Sequence, residues 1–325
     1  MKNFRTSFII VAALIGYSQV SLAWGALAHQ AIGEIAARNL TPAAMQTVTN
    51  ILGADNLAIA SSWADQVRDD HDFDSFQNAH FYEIKTGMNL DDNLKLNRNP
   101  ADAVSTLERV YFLLKDRNVP RSVKMIALRY FIHIIGDLHQ PFHVGNTLDK
   151  GATLCFAMLR PPQIQNLHSI WDGGLVDLDI SNLKQKMAVP KSFYSYADYA
   201  NEIINSTPLS TPDKMRIGNG TYKDWINESI ALRSFIYPDQ VKTFEQEKAR
   251  TYCNLTNAPV FIGPDKAVTL TPEYQTKAIQ IIHQRILAAG LRAAWTLNQL
   301  FEKEGSAGPN KEMTKQQILA FLKTK

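Results

Sequence analysis

Residues 121–143 read Arg-Ser-Val-Lys-Met-Ile-Ala-Leu-Arg-Tyr-Phe-Ile-His-Ile-Ile-Gly-Asp-Leu-His-Gln-Pro-Phe-His, and this stretch decides the fold class. It predicts a long, strongly apolar helix from Arg121 to about Gln140, stopped by Pro141. The same periodicity recurs on both sides of it. Ala26–Asn39 is apolar at helical spacing, and Thr41 is placed to cap the helix that follows. Further helices are expected from Pro100 to about Arg117, and over Leu167–Gly174, Ser192–Ile204, Gly220–Ile236, Thr271–Glu304 and Thr314–Thr324. Strand-like alternation is weak, so any strands should be short. The expected architecture is therefore mainly α, a single-domain helical bundle. Three intervening loops, Thr86–Arg98, Thr147–Asn166 and Arg250–Leu270, are long enough to carry function.

The first 23 residues stand apart from that pattern. Lys2 and Arg5 form a basic start, Phe8–Ile15 is apolar, and Ser21-Leu22-Ala23 has the small residues of a cleavage site. The apolar run is too short to span a bilayer. A secretory signal cut before Trp24 is expected, leaving one catalytic domain over 24–325 and an exported, periplasmic or extracellular, monomer. The whole chain carries +3; losing Lys2 and Arg5 with no acids brings it to +1. Such a balance excludes a broad basic surface of the kind that grips duplex phosphates, so nucleic acid would have to be bound locally. The two cysteines, Cys155 and Cys253, leave one disulfide or two buried thiols open, and their spacing excludes a thiolate zinc site. Asn205, Asn219, Asn227 and Asn254 begin glycosylation sequons.

Chemistry concentrates in the histidines. On a helix, His133 and Asp137 project from one face, and Pro141 ends that helix so that His143 can turn back towards them. His168 and Asp172 repeat the one-turn spacing. Imidazoles with carboxylates and no thiolate suit a catalytic zinc site. A hydrogen-bonded core histidine would account for either pair alone, and spacing by itself leaves both readings open. Cleavage before Trp24 would also free an α-amine that can chelate a metal together with its own carbonyl, with His29 about a turn further on. A buried tryptophan anchor explains the same residue.

Taken together, Trp24 with His29, Trp63-Ala-Asp65, His80-Phe-Tyr, the His133–His143 run and Asn166-Leu-His168-Ser-Ile-Trp-Asp172 resemble the zinc-dependent single-strand nucleases of fungi and plants. Trp225, Glu228, Ser229 and the segment Ala289–Asn298 resemble that family's later helices, so the likeness covers nearly all of residues 24–325. It implies three zinc ions. One would be held by Asp65, His80, His133 and Asp137; a second by His143, His168 and Asp172; a third by Trp24, His29 and Asp137, which bridges two ions. It implies hydrolysis of phosphodiester bonds in single-stranded DNA and RNA to 5′-phosphate products, and a reach towards 3′-nucleotides. Zinc lowers the pKa of bound water to around 7, which makes hydroxide available as nucleophile at mild pH. Asp65 would orient that hydroxide, and no serine or cysteine motif competes with it.

The resemblance also suggests substrate contacts. Arg68 would grip phosphate, Phe81 would stack on an unpaired base, and Glu83 would hydrogen-bond that base. Two departures stand out. The family's Gly-Gly-Asn loop reads Asp149-Lys-Gly-Ala-Thr153 here, with Lys150 as a substitute phosphate contact, and two cysteines cannot supply the family's several disulfides. His139 is expected to pack or support, and His71 and His283 to lie on the surface. The rival readings are a zinc phospholipase C, which shares the ligand pattern, and a non-catalytic zinc-binding protein.

Overall fold

The computed structural model describes residues 24–324 apart from 86–87, 97–98, 146, 148, 188–193, 238–266 and 303–305. The expected signal sequence over residues 1–23, Cys253, Asn254 and most of the Arg250–Leu270 loop therefore lie outside the described residues.

The described chain is helical nearly throughout. The helices are α1 (Ala26–Arg38), α2 (Pro42–Leu52), α3 (Leu57–Ser61), α4 (Trp63–Gln66), α5 (Leu90–Leu96), α6 (Ala103–Lys115) and α7 (Arg121–His139). They continue as α8 (Leu167–Ser169), α9 (Leu175–Met187), α10 (Tyr196–Ser206), α11 (Thr211–Gly218), α12 (Tyr222–Ala231), α13 (Arg233–Ile236), α14 (Pro272–Leu300) and α15 (Lys315–Thr324). Among the described residues no helix is long and apolar enough to cross a membrane.

Helix α7 is the axis. It is buried on all sides from Tyr130 to His139, as a helix must be when it is apolar all round. Around it pack α1, α2, α3, α6, α12 and α14. Each fully buried Ile or Phe on it contributes roughly 1.5–3 kcal/mol by leaving water, and Phe131, Ile132, Ile134 and Ile135 are essentially inaccessible.

Sequence and structure differ mostly at element ends. Thr41 does cap α2, its Oγ1 accepting from Ala44 N at 3.3 Å. Helix α6 starts at Ala103 and not at Pro100, because Asp102 Oδ1 accepts from Ser105 N at 2.7 Å and so fixes the first turn. The Thr86–Arg98 loop contains α5, capped by Asn89, whose Oδ1 accepts from Asp92 N at 2.9 Å. The Thr147–Asn166 loop contains a hairpin: β1 (Phe156–Arg160) pairs antiparallel with β2 (Gln163–Asn166), and β3 (Val268–Thr269) joins β1 in parallel. The Leu167–Gly174 helix is α only to Ser169 and then opens into a π turn over Ile170–Gly174. Cys155 is buried, and Cys253, with which the sequence left a disulfide open, falls outside the described residues.

Candidate metal centre

The sequence delivers the nine expected metal-site residues from five places. Trp24 sits just ahead of α1, which carries His29, and α4 carries Asp65. A 3-10 stretch, His71–His80, ends in His80, and α7 carries His133 and Asp137. Pro141 ends α7 so that His143 returns to the same side. The β2 strand then feeds Asn166, whose Oδ1 caps α8 by accepting from Ser169 N at 2.7 Å, and so positions His168 and Asp172. A π turn widens the helix at this point, a distortion that recurs at functional sites.

These side chains converge. Asp137 Oδ2 lies 3.1 Å from His133 Nε2 and 3.2 Å from His80 Nδ1, while its Oδ1 lies 3.2 Å from His29 Nε2. Asp65 Oδ1 is 3.7 Å from both His80 Nδ1 and His133 Nε2. A few ångströms away, Asp172 Oδ1 is 3.3 Å from His143 Nε2 and its Oδ2 3.1 Å from His168 Nε2. His143 Nδ1 lies 3.8 Å from Asp137 Oδ1, so the two groups adjoin.

The protons of the rings explain which nitrogen faces inward. His133 Nδ1 donates to Ser61 O at 2.8 Å, His143 Nδ1 to His80 O at 2.6 Å, and His168 Nδ1 to Gly151 O at 2.6 Å. Each bond consumes the proton on Nδ1 and leaves the Nε2 lone pair pointing into the centre, the arrangement that orients metal-ligating histidines. His133 Nε2 then faces His80 Nδ1 at 2.8 Å, and His143 Nε2 faces His168 Nε2 at 3.2 Å. Among the described residues the buried atoms His29 Nε2, Asp65 Oδ1 and Asp137 Oδ1 make no well-aligned hydrogen bond, although the first and last lie 3.2 Å apart. Orphaned buried acceptors are costly unless something fills the gap between them. A cation would do so, and the ligand atoms of the site fall into three groups, His29 with Asp65 and His133, His80 with His133 and Asp137, and His143 with His168 and Asp172, each within 4.8 Å.

The electrostatics agree. Burial alone would depress every imidazole, and it does lower His29 and His80, helped by His133 nearby. For His133 and His143 burial is outweighed by Asp137 with Asp65 or Asp172, which raise both to about 9. Asp137 and Asp172 stay well below the usual carboxylate range, against their own burial, because of His133 and His143 around the first and His168 and His143 around the second. The field of the site calls for positive charge.

Two backbone details make room. A Cβ on Gly136 would meet His29 Nδ1 at 2.9 Å, so glycine there lets the His29 ring lie flat against α7 and stack on His133, 3.9 Å between centroids. Trp24 is buried beside the same glycine, its Nε1 donating to Gly136 O at 2.9 Å, and Gly25 N donates to Asp172 O at 2.7 Å. The backbone of 24–25 is thus pinned between the turns that carry Asp137 and Asp172.

Residues 24–302 match the family model described as S1/P1 Nuclease. The chain belongs to the S1/P1 nuclease family. It is 26% identical over 297 residues to "Nuclease S1" of Aspergillus oryzae, covering 88% of this chain and 95% of that one. It is 26% identical to "Nuclease P1" of Penicillium citrinum, with 86% and 99% covered, and 23% identical to "Endonuclease 2" of Arabidopsis thaliana, with 92% and 98% covered. As an S1/P1 nuclease the chain is a phosphodiester hydrolase of a zinc-dependent family, and phospholipase C chemistry is not favoured.

In this S1/P1 nuclease all four expected substrate contacts line one cleft of about 220 Å³: Arg68, Phe81, Glu83 and Lys150, with His80, His143 and His168 at its floor. Burial pushes the Glu83 carboxyl up, partly countered by Lys150. The altered 149–153 loop takes an unusual form. Lys150, Gly151 and Ala152 all have positive φ, at 51°, 59° and 64°. A non-glycine residue there costs roughly 1–2 kcal/mol and persists because its surroundings insist. Asp149, buried, accepts from Ala152 N at 3.0 Å and from the Tyr237 hydroxyl. Glycine is required in the middle, since a Cβ on Gly151 would meet Phe142 O at 2.4 Å.

Sequence reading passed over some contributors. Gln140 donates from Nε2 to Asp172 Oδ1 at 2.5 Å and accepts from Phe142 N at 2.6 Å, tying the end of α7 to the second His/Asp group. Its place inside the His133–His143 run was the available signal. His71 is exposed as expected. His283, expected at the surface, is instead buried against Asp179. His139 is buried in support of α7, accepting at Nε2 from Arg292 Nη1 at 2.8 Å.

Proposed function

We propose that the protein is an exported, monomeric endonuclease of one catalytic domain (24–325) that hydrolyses single-stranded DNA and RNA to 5′-phosphate products. In this reading it loads three zinc ions. The observation that carries the proposal is the set of buried atoms His29 Nε2, Asp65 Oδ1 and Asp137 Oδ1, which make no well-aligned hydrogen bond among the described residues and face the inward lone pairs of His80, His133, His143 and His168.

The donor set fits zinc: nitrogen and carboxylate oxygen, no sulfur, buried and pre-aimed. Asp65, His80, His133 and Asp137 would hold one ion, and His143, His168 and Asp172 a second. Trp24, His29 and the other oxygen of Asp137 would hold the third, which requires the free amine that cleavage before Trp24 creates. Bound zinc would supply Lewis-acid stabilisation of phosphate charge and a supply of hydroxide near neutral pH.

The chain's own residues do the rest. Arg68 at the cleft rim pairs with phosphate oxygens and holds the ester for in-line attack. Asp65 Oδ1 accepts a hydrogen bond from the attacking water and orients it. Phe81 offers a face to an unpaired base, which a duplex cannot present without unstacking. Glu83, held towards its neutral form by burial, can donate a hydrogen bond to that base as well as accept one. Lys150 adds positive charge to the same cleft.

The test is digestion of single-stranded RNA and DNA by protein cleaved before Trp24 and loaded with zinc, with product ends mapped. A chelator control and phosphatidylcholine run alongside. Chelator-sensitive release of 5′-phosphate ends is expected. Lipid cleavage with intact nucleic acid would overturn the assignment.

A further inference from the structure

Asp179 on α9, Ser206 at the end of α10 and His283 on α14 meet away from the metal centre. His283 Nε2 donates to Asp179 Oδ2 at 2.6 Å, and His283 Nδ1 lies 3.0 Å from Ser206 Oγ. The imidazole and the carboxylate are each about 10% exposed, whereas Ser206 is open to solvent. Since Asp179 takes the proton on Nε2, the lone pair on Nδ1 faces the hydroxyl. Ser206 Oγ also has Ile203 O at 3.2 Å, but the nitrogen is nearer and is backed by a carboxylate. All three residues line one cavity of about 510 Å³.

We infer that Ser206 is an activated nucleophile in a second, metal-independent site that takes small acyl esters. The roles follow from the contacts: a nucleophile within reach of a base, and the base held in one tautomer by a third group. A mere clasp between helices would need the Asp179–His283 pair but not an exposed hydroxyl on the imidazole's other nitrogen. The cavity favours a small, polar acyl group. Its walls include the side chains of Asn182, Gln280 and Gln284, and Ile279 is its one aliphatic hydrocarbon side chain. Asn182 and Thr207 line the same cavity as the nucleophile, and an amide side chain or a backbone N–H there is the kind of donor that a developing oxyanion needs.

The chemistry balances without a cofactor. Ser206 Oγ bonds to the acyl carbon while its proton passes to His283 Nδ1. The carbon–oxygen bond to the alcohol breaks, and the alcohol leaves with that proton. Water then attacks the acyl-serine, giving its proton to His283, which returns it to Ser206 as the carboxylic acid departs.

Two probes test this on the full folded protein: a fluorophosphonate, with the labelled peptide mapped by mass spectrometry, and turnover of 4-nitrophenyl acetate. Labelling of Ser206 is expected, undiminished by a metal chelator. His283→Gln should slow it by about 10²-fold or more, the range for loss of a general base, and Ser206→Ala should abolish both signals. Because Ser206 is exposed, Ser206→Ala should fold and keep full cleavage of single-stranded DNA, which separates this site from the nuclease reading. Labelling of Ser206 no faster than of the exposed helix cap Ser210, or unchanged in His283→Gln, would overturn the inference.

Discussion

The last turn of α7 has two faces that solve one problem in opposite ways. On one face Asp137 meets His29, His80 and His133, and a carboxylate oxygen and an imidazole nitrogen are left without partners. On the other, His139 meets Arg285 and Arg292, and both ring nitrogens and both guanidiniums are bonded within the protein. Arg285 Nε donates to His139 O at 2.9 Å, Arg292 Nη1 to His139 Nε2 at 2.8 Å, and both guanidiniums end on Glu228. Ser229 Oγ donates to Leu138 O at 2.8 Å. These donors satisfy carbonyls that a helix end leaves unbonded. Buried polarity with its partners present is architecture; buried polarity with partners missing is a request for a ligand.

Breaking the open face should have the largest effect. Asp137→Ala removes the residue that touches three imidazoles, and nuclease activity should fall by well over the roughly 10–100-fold typical of losing an outer partner. Zinc counted by atomic absorption should drop by more than one ion per chain; full activity in this variant would refute the bridging role. Gln140→Ala removes such an outer partner, from Asp172, and should weaken zinc binding by about 10–100-fold in competition with a chelator. On the closed face, Glu228→Ala leaves two buried guanidiniums without their carboxylate. Glu228 is half exposed, so a loss near the lower end of the range for broken buried pairs, about 3 kcal/mol, is expected in denaturant unfolding. Zinc content of the folded fraction should not change. If zinc were lost instead, the two faces would not be separable.

Acid sharpens the contrast further. Burial, then Arg285 and Arg292, hold His139 well below its ordinary value of 6.5. A depressed imidazole contributes stability that is complete above the unfolded pKa and lost as pH falls beneath it. Metal-free protein should therefore lose thermal stability between about pH 6.5 and 5, and His139→Gln should make that limb shallower, the remainder coming from His29 and His80, which burial also depresses. The smallest effect should come from His71→Ala. That ring is exposed, and neither activity nor unfolding midpoint should move measurably.

Legibility followed the same division. Helix α7, its stop at Pro141 and the two one-turn His/Asp pairs are local patterns, and spacing alone exposed them. Asp65 and His80 came only through the family resemblance, because nothing near either residue in sequence marks it. Their partners are supplied by α7, far along the chain. His283 was misread as a surface residue since Asp179, which buries with it, lies 104 positions away. In sequence the 149–153 loop lacks the second glycine and the asparagine of the family's run, yet its backbone keeps positive φ at three successive residues. A buried carboxylate and a tyrosine brought in by tertiary contact hold that shape, and local composition does not report them.

The three ring-to-carbonyl bonds from His133, His143 and His168 have a consequence for how the protein is made. Their acceptors sit in three different stretches of chain: Ser61, His80 and Gly151. Only when all three stretches have docked do the lone pairs face inward together. A chain with one stretch misplaced presents scattered imidazoles that hold zinc weakly. Tight loading then acts as proofreading, so that the molecules able to cut are those already correctly folded.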